Sequence, residues 1–257
     1  MKVRNIIPCS KIAEYVERIL VIENNRVVTP FILPLYANAV PTLLFISRKG
    51  KLGNDTSNYL TLFGQTVFPE TLTLTEEFTL IAYFFKPYSL INLFGVAARE
   101  LTDRPIDLNL LAPKKTIELQ EQLLNSGSTD NTIMLLDHYI SGLINNADTE
   151  CRLIKYAATK ITHKPLKESL VSIQKELHIT ERTFQRLFEK NIGVAPGLYR
   201  RICQFNSGFI QLNKKKFHKL SDIAFQNGYA DQSHYIRAFK EFTNITPKEY
   251  LRFGEEH

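Results

Sequence analysis

The C-terminal part of this chain carries one pattern twice, 51 positions apart, first from Thr180 to Tyr199 and again from Asp231 to Tyr250. The two copies match at a helix-capping residue (Thr180, Asp231), an aromatic (Phe184, Tyr235), an arginine (Arg186, Arg237), a phenylalanine (Phe188, Phe239), a proline (Pro196, Pro247) and a tyrosine (Tyr199, Tyr250). A cap followed by aromatic residues at helical spacing describes an amphipathic helix with a fixed buried face. The arginine keeps one angular position on both helices, which suggests two reading heads.

Charge supports a polyanionic partner for the same region. From Cys151 to His257 there are 19 Lys and Arg against 10 Asp and Glu, a net of +9; residues 1–150 hold 13 against 16, a net of −3. The formal charge of +6 on the 257-residue chain therefore belongs to the half that contains the repeat. A basic domain of this kind is the footprint of a nucleic-acid or anionic-surface ligand, although an ordinary solvated surface can also be basic. No apolar run reaches the roughly 20 residues needed to cross a bilayer, and no leader-like apolar core follows the basic start, so a soluble cytoplasmic protein is expected. Cys9, Cys151 and Cys203 are odd in number and far apart, so they are expected to be free, mostly buried apolar groups, with neither a disulfide framework nor a zinc site.

The expected fold class is α+β. Residues 1–112 read as a small β-barrel or sandwich with helices, because the runs Val27 to Leu35, Thr42 to Ser47, Tyr59 to Phe63, Thr71 to Leu74 and Phe78 to Phe85 are rich in β-branched and aromatic residues. Pro30, Pro34, Pro41, Gly50, Gly53, Asn54, Gly64 and Pro69 punctuate them. Leu90, Leu93, Phe94 and Ala97 then recur at helical spacing. Residues 113–148 read as a connecting helical pair, the second helix starting at Asp130 and ending at Asn145, Asn146 and Asp148. Its apolar face suits either packing on its own domain or a dimer contact.

From residue 149 to 257 the pattern is all-α, with helix-turn-helix units at about 167–192 and 219–243 joined by a long helix from Pro196 to Leu212. In the first unit, Ser169 to Leu177 precedes a tight connection at His178, Ile179 and Thr180, then a helix from Glu181 to Asn191 ended by Gly193. In the second, a helix around Leu220 to Gln226 turns at Asn227 and Gly228 into a helix from Asp231 to Phe242. Removing the buried positions leaves Arg182, Gln185, Arg186 and Glu189 as one outward stripe on the first capped helix. Arginine donates two hydrogen bonds to guanine and glutamine pairs with adenine in a major groove. On the second helix the stripe is Ser233, Ile236, Arg237 and Lys240, with Gln232 and His234 at its start. The expected base readers are thus Arg182, Gln185, Arg186, Gln232, Ser233 and Arg237; Thr180, Lys190, Arg201, His234 and Lys240 are assigned to phosphates. Two such helices, roughly 34 Å apart on one face of a duplex, would let a monomer read a site that usually needs a dimer.

The segments NGYADQSHYIRAFKEFTNITPKEY and ITERTFQRLFEKNIGVAPGLYRR resemble the signature of AraC/XylS-type bacterial transcription regulators, over about 100 residues from Cys151 to Arg252. The resemblance implies a seven-helix DNA-binding domain whose base-reading positions are occupied by the six residues named above, double-stranded DNA as ligand and RNA polymerase as partner. FTLIAYFFKPYSLINLFGVAARELTDRPIDL more weakly resembles the β-rich sensor-like domain that precedes it in some relatives. The chain departs from the family at His178, where a turn glycine is usual, at Gln174 and Gly208, where alanine is usual, and at Gln204, where arginine is frequent. His178 is expected to be left-handed with modest strain, Gly208 to cost on the order of 1 kcal/mol relative to alanine, and Gln204 to remove a backbone contact. Lys86, Pro87, Tyr88 and Ser89 replace a glycine-rich turn.

The expected function is a sequence-specific DNA-binding transcription regulator, of the activator type, without catalytic residues, metal or cofactor. All six histidines lie after residue 137, which leaves the β-rich half without a histidine cluster for a metal. A pocket lined by Phe31, Phe45, Phe63, Phe84 and Phe85 would suit a small apolar effector, while aromatics at strand positions also serve as ordinary core. The alternatives left open are a ligand-binding or dimerising module in which DNA binding is secondary and a non-metal enzyme in the β-rich half. The oligomeric state is open between monomer and homodimer.

Overall fold

A computed structural model describes residues 1–144, 149–163, 169–215 and 217–253. The N-terminal region is built from two antiparallel sheets. The larger contains β1 (Lys2–Ile6), β2 (Val16–Asn24), β4 (Thr42–Ile46), β7 (Leu60–Phe63), β9 (Phe78–Phe85) and β10 (Ile106–Asp107), in the order β1-β2-β9-β4-β7-β10. The smaller contains β3 (Phe31–Leu35), β5 (Lys51–Leu52), β6 (Asp55–Thr56) and β8 (Glu70–Leu74), in the order β3-β8-β5-β6. Each sheet keeps two edges, so the sandwich alternative holds and no closed barrel forms.

Strand register explains the two cores of this region. In the large sheet Ile19 lies opposite Tyr83, Val21 opposite Ile81 and Phe45 opposite both Leu60 and Ile81. Since cross-strand partners share a face, these residues form one apolar layer, covered by Leu90 and Leu93 of α1 (Ser89–Phe94), Leu119 and Leu123 of α2 (Pro113–Leu124), and Leu136 and Ile140 of α3 (Thr129–Leu143). The intervening residues Ile22, Leu44, Ile46, Leu80 and Ala82 face the other way and pack on Leu72 and Leu74 of the smaller sheet. The hydroxyl of Tyr83 donates to the Asp137 carboxylate at 2.7 Å, which fixes α3 on the sheet. Burial is the main cause that pushes this phenol far above its usual range, with Asp137 adding to it, so the group stays a donor. The connecting pair therefore lies on the sheet, with α3 starting at Thr129, one residue earlier than expected. The expected end of α3 at Asn145, Asn146 and Asp148 lies outside the described residues.

The C-terminal region is helical: α4 (Thr149–His163), α5 (Leu170–Glu176), α6 (Glu181–Ile192), α7 (Pro196–Asn213), α8 (Leu220–Gln226), α9 (Gln232–Thr243) and α10 (Pro247–Phe253). These helices share one core in which Phe188, Tyr199, Phe205, Tyr235, Phe239 and Phe242 are fully buried. Phe205 sits at its centre, its ring 5.7 Å from Phe239, 5.1 Å from Phe242 and 5.6 Å from Phe209.

The two regions meet at the C-terminal end of α6 and along α7. Thr102 donates its hydroxyl to the Gly193 carbonyl at 2.8 Å, Asn206 donates to the Asn38 carbonyl at 3.3 Å, and Lys155 pairs with Glu14 at 2.8 Å. The ring of Tyr36 lies 5.7 Å from Phe209 and 6.3 Å from Tyr250. Gly193 is required at this seam twice over. Its φ is +103°, and a Cβ there would meet Thr102 Oγ1 at 2.7 Å and the Ala98 carbonyl oxygen at 3.0 Å. Gly193→Ala is therefore expected to lower stability by more than about 1 kcal/mol in chemical denaturation. Gly197→Ala, where a Cβ meets nothing within 4 Å, should be neutral or slightly stabilising.

Several strands differ from their expected course. The first strand of the smaller sheet begins at Phe31, four residues after the expected Val27. β1 and β2 precede the first of the runs named from sequence, and β5, β6 and β10 are pairs of residues too short to show periodicity. Cys9 is exposed, contrary to the expectation of burial, whereas Cys203 is buried; Cys151 has no described side chain.

Candidate nucleic-acid interface

Each repeat unit is a short helix, a turn with one left-handed residue, and a capped longer helix. In the first, His178 has φ +53° between α5 and α6, as expected for the position where glycine is usual. In the second, Gly228 takes that role with φ +70°. The turn of the second unit is longer by one residue, because Asn227, Gly228, Tyr229 and Ala230 separate the end of α8 from the cap of α9, where only Leu177, His178 and Ile179 do so in the first. The caps themselves are equivalent: Thr180 accepts from the Thr183 amide at 3.3 Å and Asp231 from the His234 amide at 2.7 Å. The repeat continues past the reading helices, since Gly193 and Asn244, also 51 apart, are both left-handed C-caps. Pro196 and Pro247 then open α7 and α10.

Departures from the family pattern acquire local explanations. Gln174 donates from Nε2 to the Ile179 carbonyl at 3.2 Å, bridging the first turn. Gln204 donates to the Asn227 carbonyl at 2.8 Å, tying the linker helix to the second turn. This bond lies within the protein; the contact with DNA that the replacement of arginine was expected to remove is a separate matter. Asn227 is buried and in turn donates to Gln211 Oε1 at 2.8 Å and to the Ile223 carbonyl at 2.9 Å. At Gly208 a Cβ would lie 3.1 Å from Tyr235 Cε2 and 3.4 Å from Ile223 Cγ2. The glycine thus allows α7 to approach the second unit closely, which offsets its expected cost in helix propensity.

The six expected base readers all lie on the surface. Arg182, Gln185 and Arg186 are exposed on α6, and Gln232, Ser233 and Arg237 on α9, opposite Phe184, Leu187 and Phe188 on the first helix and Tyr235, Phe239 and Phe242 on the second. Gln185 donates to Glu181 Oε1 at 3.3 Å, so it must leave that contact to reach a base. Among the described residues Arg182, Arg186 and Arg237 make no hydrogen bond or ion pair, which leaves their guanidinium donors for a ligand.

The residues assigned to phosphates divide by environment. Thr180, Lys190, His234 and Lys240 are exposed on the two reading helices or their caps, the His234 ring lying edge-on to Tyr229 at 5.2 Å. Arg201 is exposed but engaged, ion-paired with Glu241 and 5.7 Å from the Phe242 ring, so it joins α7 to α9. Exposed Lys214, Lys215 and Lys219 between α7 and α8, with Lys248 and Arg252 on α10, add positive charge that the list of phosphate contacts missed. The lysine run after Asn213 was the available signal.

The five phenylalanines proposed as a pocket do not line one space. Phe84 and Phe85 are neighbours on β9 and must point to opposite faces. Phe45 and Phe85 belong to the helix-covered layer, whereas Phe31, Phe63 and Phe84 lie between the sheets. An open, polar groove of about 850 Å³ lies elsewhere, among Arg26, Arg48, Tyr59, Glu76 and Asn125. Among the described residues, no group of three or more His, Cys, Asp or Glu is placed to hold a metal, and no helix is long and apolar enough to cross a membrane.

Residues 173–252 match the family model described as a helix-turn-helix domain, and residues 4–107 match one described as a domain of unknown function (DUF6597). An uncharacterised HTH-type transcriptional regulator of Haemophilus influenzae is 24% identical over 166 residues, which cover 59% of this chain and 54% of that protein. The chain thus spans about half the length of the curated relative it matches. Similar folds include an apo point variant of ToxT from Vibrio cholerae, with a TM-score of 0.51, 16% identity, and coverage of 91% of this chain and 96% of that one. ToxT from Vibrio cholerae bound to (E)-4-(8-methylnaphthalen-1-yl)but-3-enoic acid gives a TM-score of 0.50 at 16% identity, covering 87% and 97%. With its two capped helices on one shared core, the C-terminal region of this chain is similar to helix-turn-helix domains.

Proposed function

We propose that the chain is a sequence-specific double-stranded DNA-binding transcription regulator of the activator type, acting in the cytoplasm with RNA polymerase as partner. The observation that carries the reading is the pair of exposed, separately capped helices, each presenting an arginine at the same angular position with no competing partner among the described residues. Bases would be read by Arg182, Gln185 and Arg186 in one half-site and by Gln232, Ser233 and Arg237 in the other. Thr180, Lys190, His234 and Lys240 would hold the backbone, with no catalytic step, cofactor or metal.

The N-terminal domain is read as an effector domain. That part of the proposal is supported by the fold shared with ToxT, which has been observed with an aryl-butenoic acid.

Selection of bound sequences from a random duplex library by the purified chain tests the reading. Enrichment of two short motifs about one helical turn apart is the expected outcome, and absence of enrichment would refute it. Repeating the selection with and without an apolar carboxylic acid tests the effector role, for which a change in enrichment is expected.

A further inference from the structure

We propose that Ile236 is a specificity-determining residue that reads the 5-methyl group of a thymine in the second half-site. This rests on the DNA-reading function proposed above and assigns a ligand group to the one apolar side chain on either reading face. The 51-residue offset places Ile236 where Gln185 stands on the first helix. It is half-buried, with exposed Gln232 and Ser233 one turn before it, Arg237 beside it and exposed Lys240 one turn after. The buried residues of α9 are Tyr235, Ala238, Phe239, Phe242 and Thr243. Among the described residues, Ile236 is not one of the apolar side chains packed on the C-terminal core. Packing therefore does not explain an isoleucine here.

Its chemistry restricts what it can recognise. Isoleucine has no donor or acceptor, and the thymine methyl is the apolar feature that a base pair presents in the major groove. Against that methyl the side chain removes apolar surface from water. Against the amino or carbonyl edge of another base it would strip water from a polar group and return no hydrogen bond. The equivalent positions of the two heads would then both favour an A·T pair, Gln185 reading adenine N6 and N7 and Ile236 the thymine methyl. The second head gains discrimination at a position where the loss of glutamine otherwise suggests less.

The test uses the full chain and the duplex recovered by selection, with each thymine replaced in turn by deoxyuridine, which deletes only the methyl. One thymine in the second motif is expected to weaken binding about fourfold on replacement, the worth of one buried carbon group. That sensitivity should vanish in Ile236→Ala and persist in Gln185→Ala. If no second-motif thymine is sensitive in the native chain, or if the sensitivity survives in Ile236→Ala, the inference is wrong. Failure to recover any selected sequence would instead overturn the DNA-reading function itself, so the two failures are distinct.

Discussion

Phe205→Ala is expected to lower the stability of the C-terminal region by about 3–5 kcal/mol, the usual cost of emptying a fully buried phenylalanine site. The residue is fully buried on α7, and its ring lies within 6 Å of Phe209, Phe239 and Phe242. Those neighbours come from the linker helix and from the second reading helix, so the cavity would open where the two heads are joined. A loss of this size is a large part of the roughly 5–15 kcal/mol that holds a domain folded. Chemical denaturation followed by far-ultraviolet circular dichroism should show the midpoint falling. Phe225→Ala supplies the contrast: the side chain is 65% exposed, so its removal should change stability by no more than about 0.5 kcal/mol.

Arg186→Ala and Arg237→Ala are expected to have the largest effects on recognition. Each should cost about 1–3 kcal/mol on the selected site, roughly fivefold to 150-fold in affinity, and relax the preference at one base pair of its own half-site. Neither arginine has a hydrogen bond or ion pair among the described residues, so nothing within the fold is lost with it. Lys240→Ala should act differently, weakening specific and random duplexes alike and reducing the salt dependence by about one unit of slope. Equal losses on selected and random DNA for the arginine variants would remove the base-reading assignment. Titration of each variant against both duplexes at two salt concentrations separates these outcomes.

The C-terminal region was legible because its constraints are local. A cap, an apolar face at helical spacing and a left-handed stop all lie within fourteen residues of one another, from Thr180 to Gly193, and are repeated from Asp231 to Asn244. Even the strained turn at His178 could be read from a single substitution. The partnerships of Gln174, Gln204 and Arg201 could not, because each joins residues whose proximity is set by how helices pack.

The N-terminal region shows the opposite case. β1 pairs with β2, and β2 with β9 some sixty residues away, so the sequence signal for the N-terminal strands lies in partners and not in their own composition. The aromatic pocket failed for a reason present in the sequence itself. Adjacent Phe84 and Phe85 on one strand cannot face the same space, and register assigns them to separate layers.

The central claim is that two heads on one chain read two motifs held at a fixed spacing. The 18 residues of α7 span about 27 Å, and Gln204, Arg201 and Phe205 tie that helix to the second unit, so the heads should not adapt freely to a changed spacing. The most direct measurement is fluorescence anisotropy on the selected duplex with about five base pairs inserted between the motifs, which turns the second motif to the opposite face of the helix. Affinity is predicted to fall to that of a duplex carrying one motif alone. Undiminished affinity for the inserted duplex would contradict the two-headed reading.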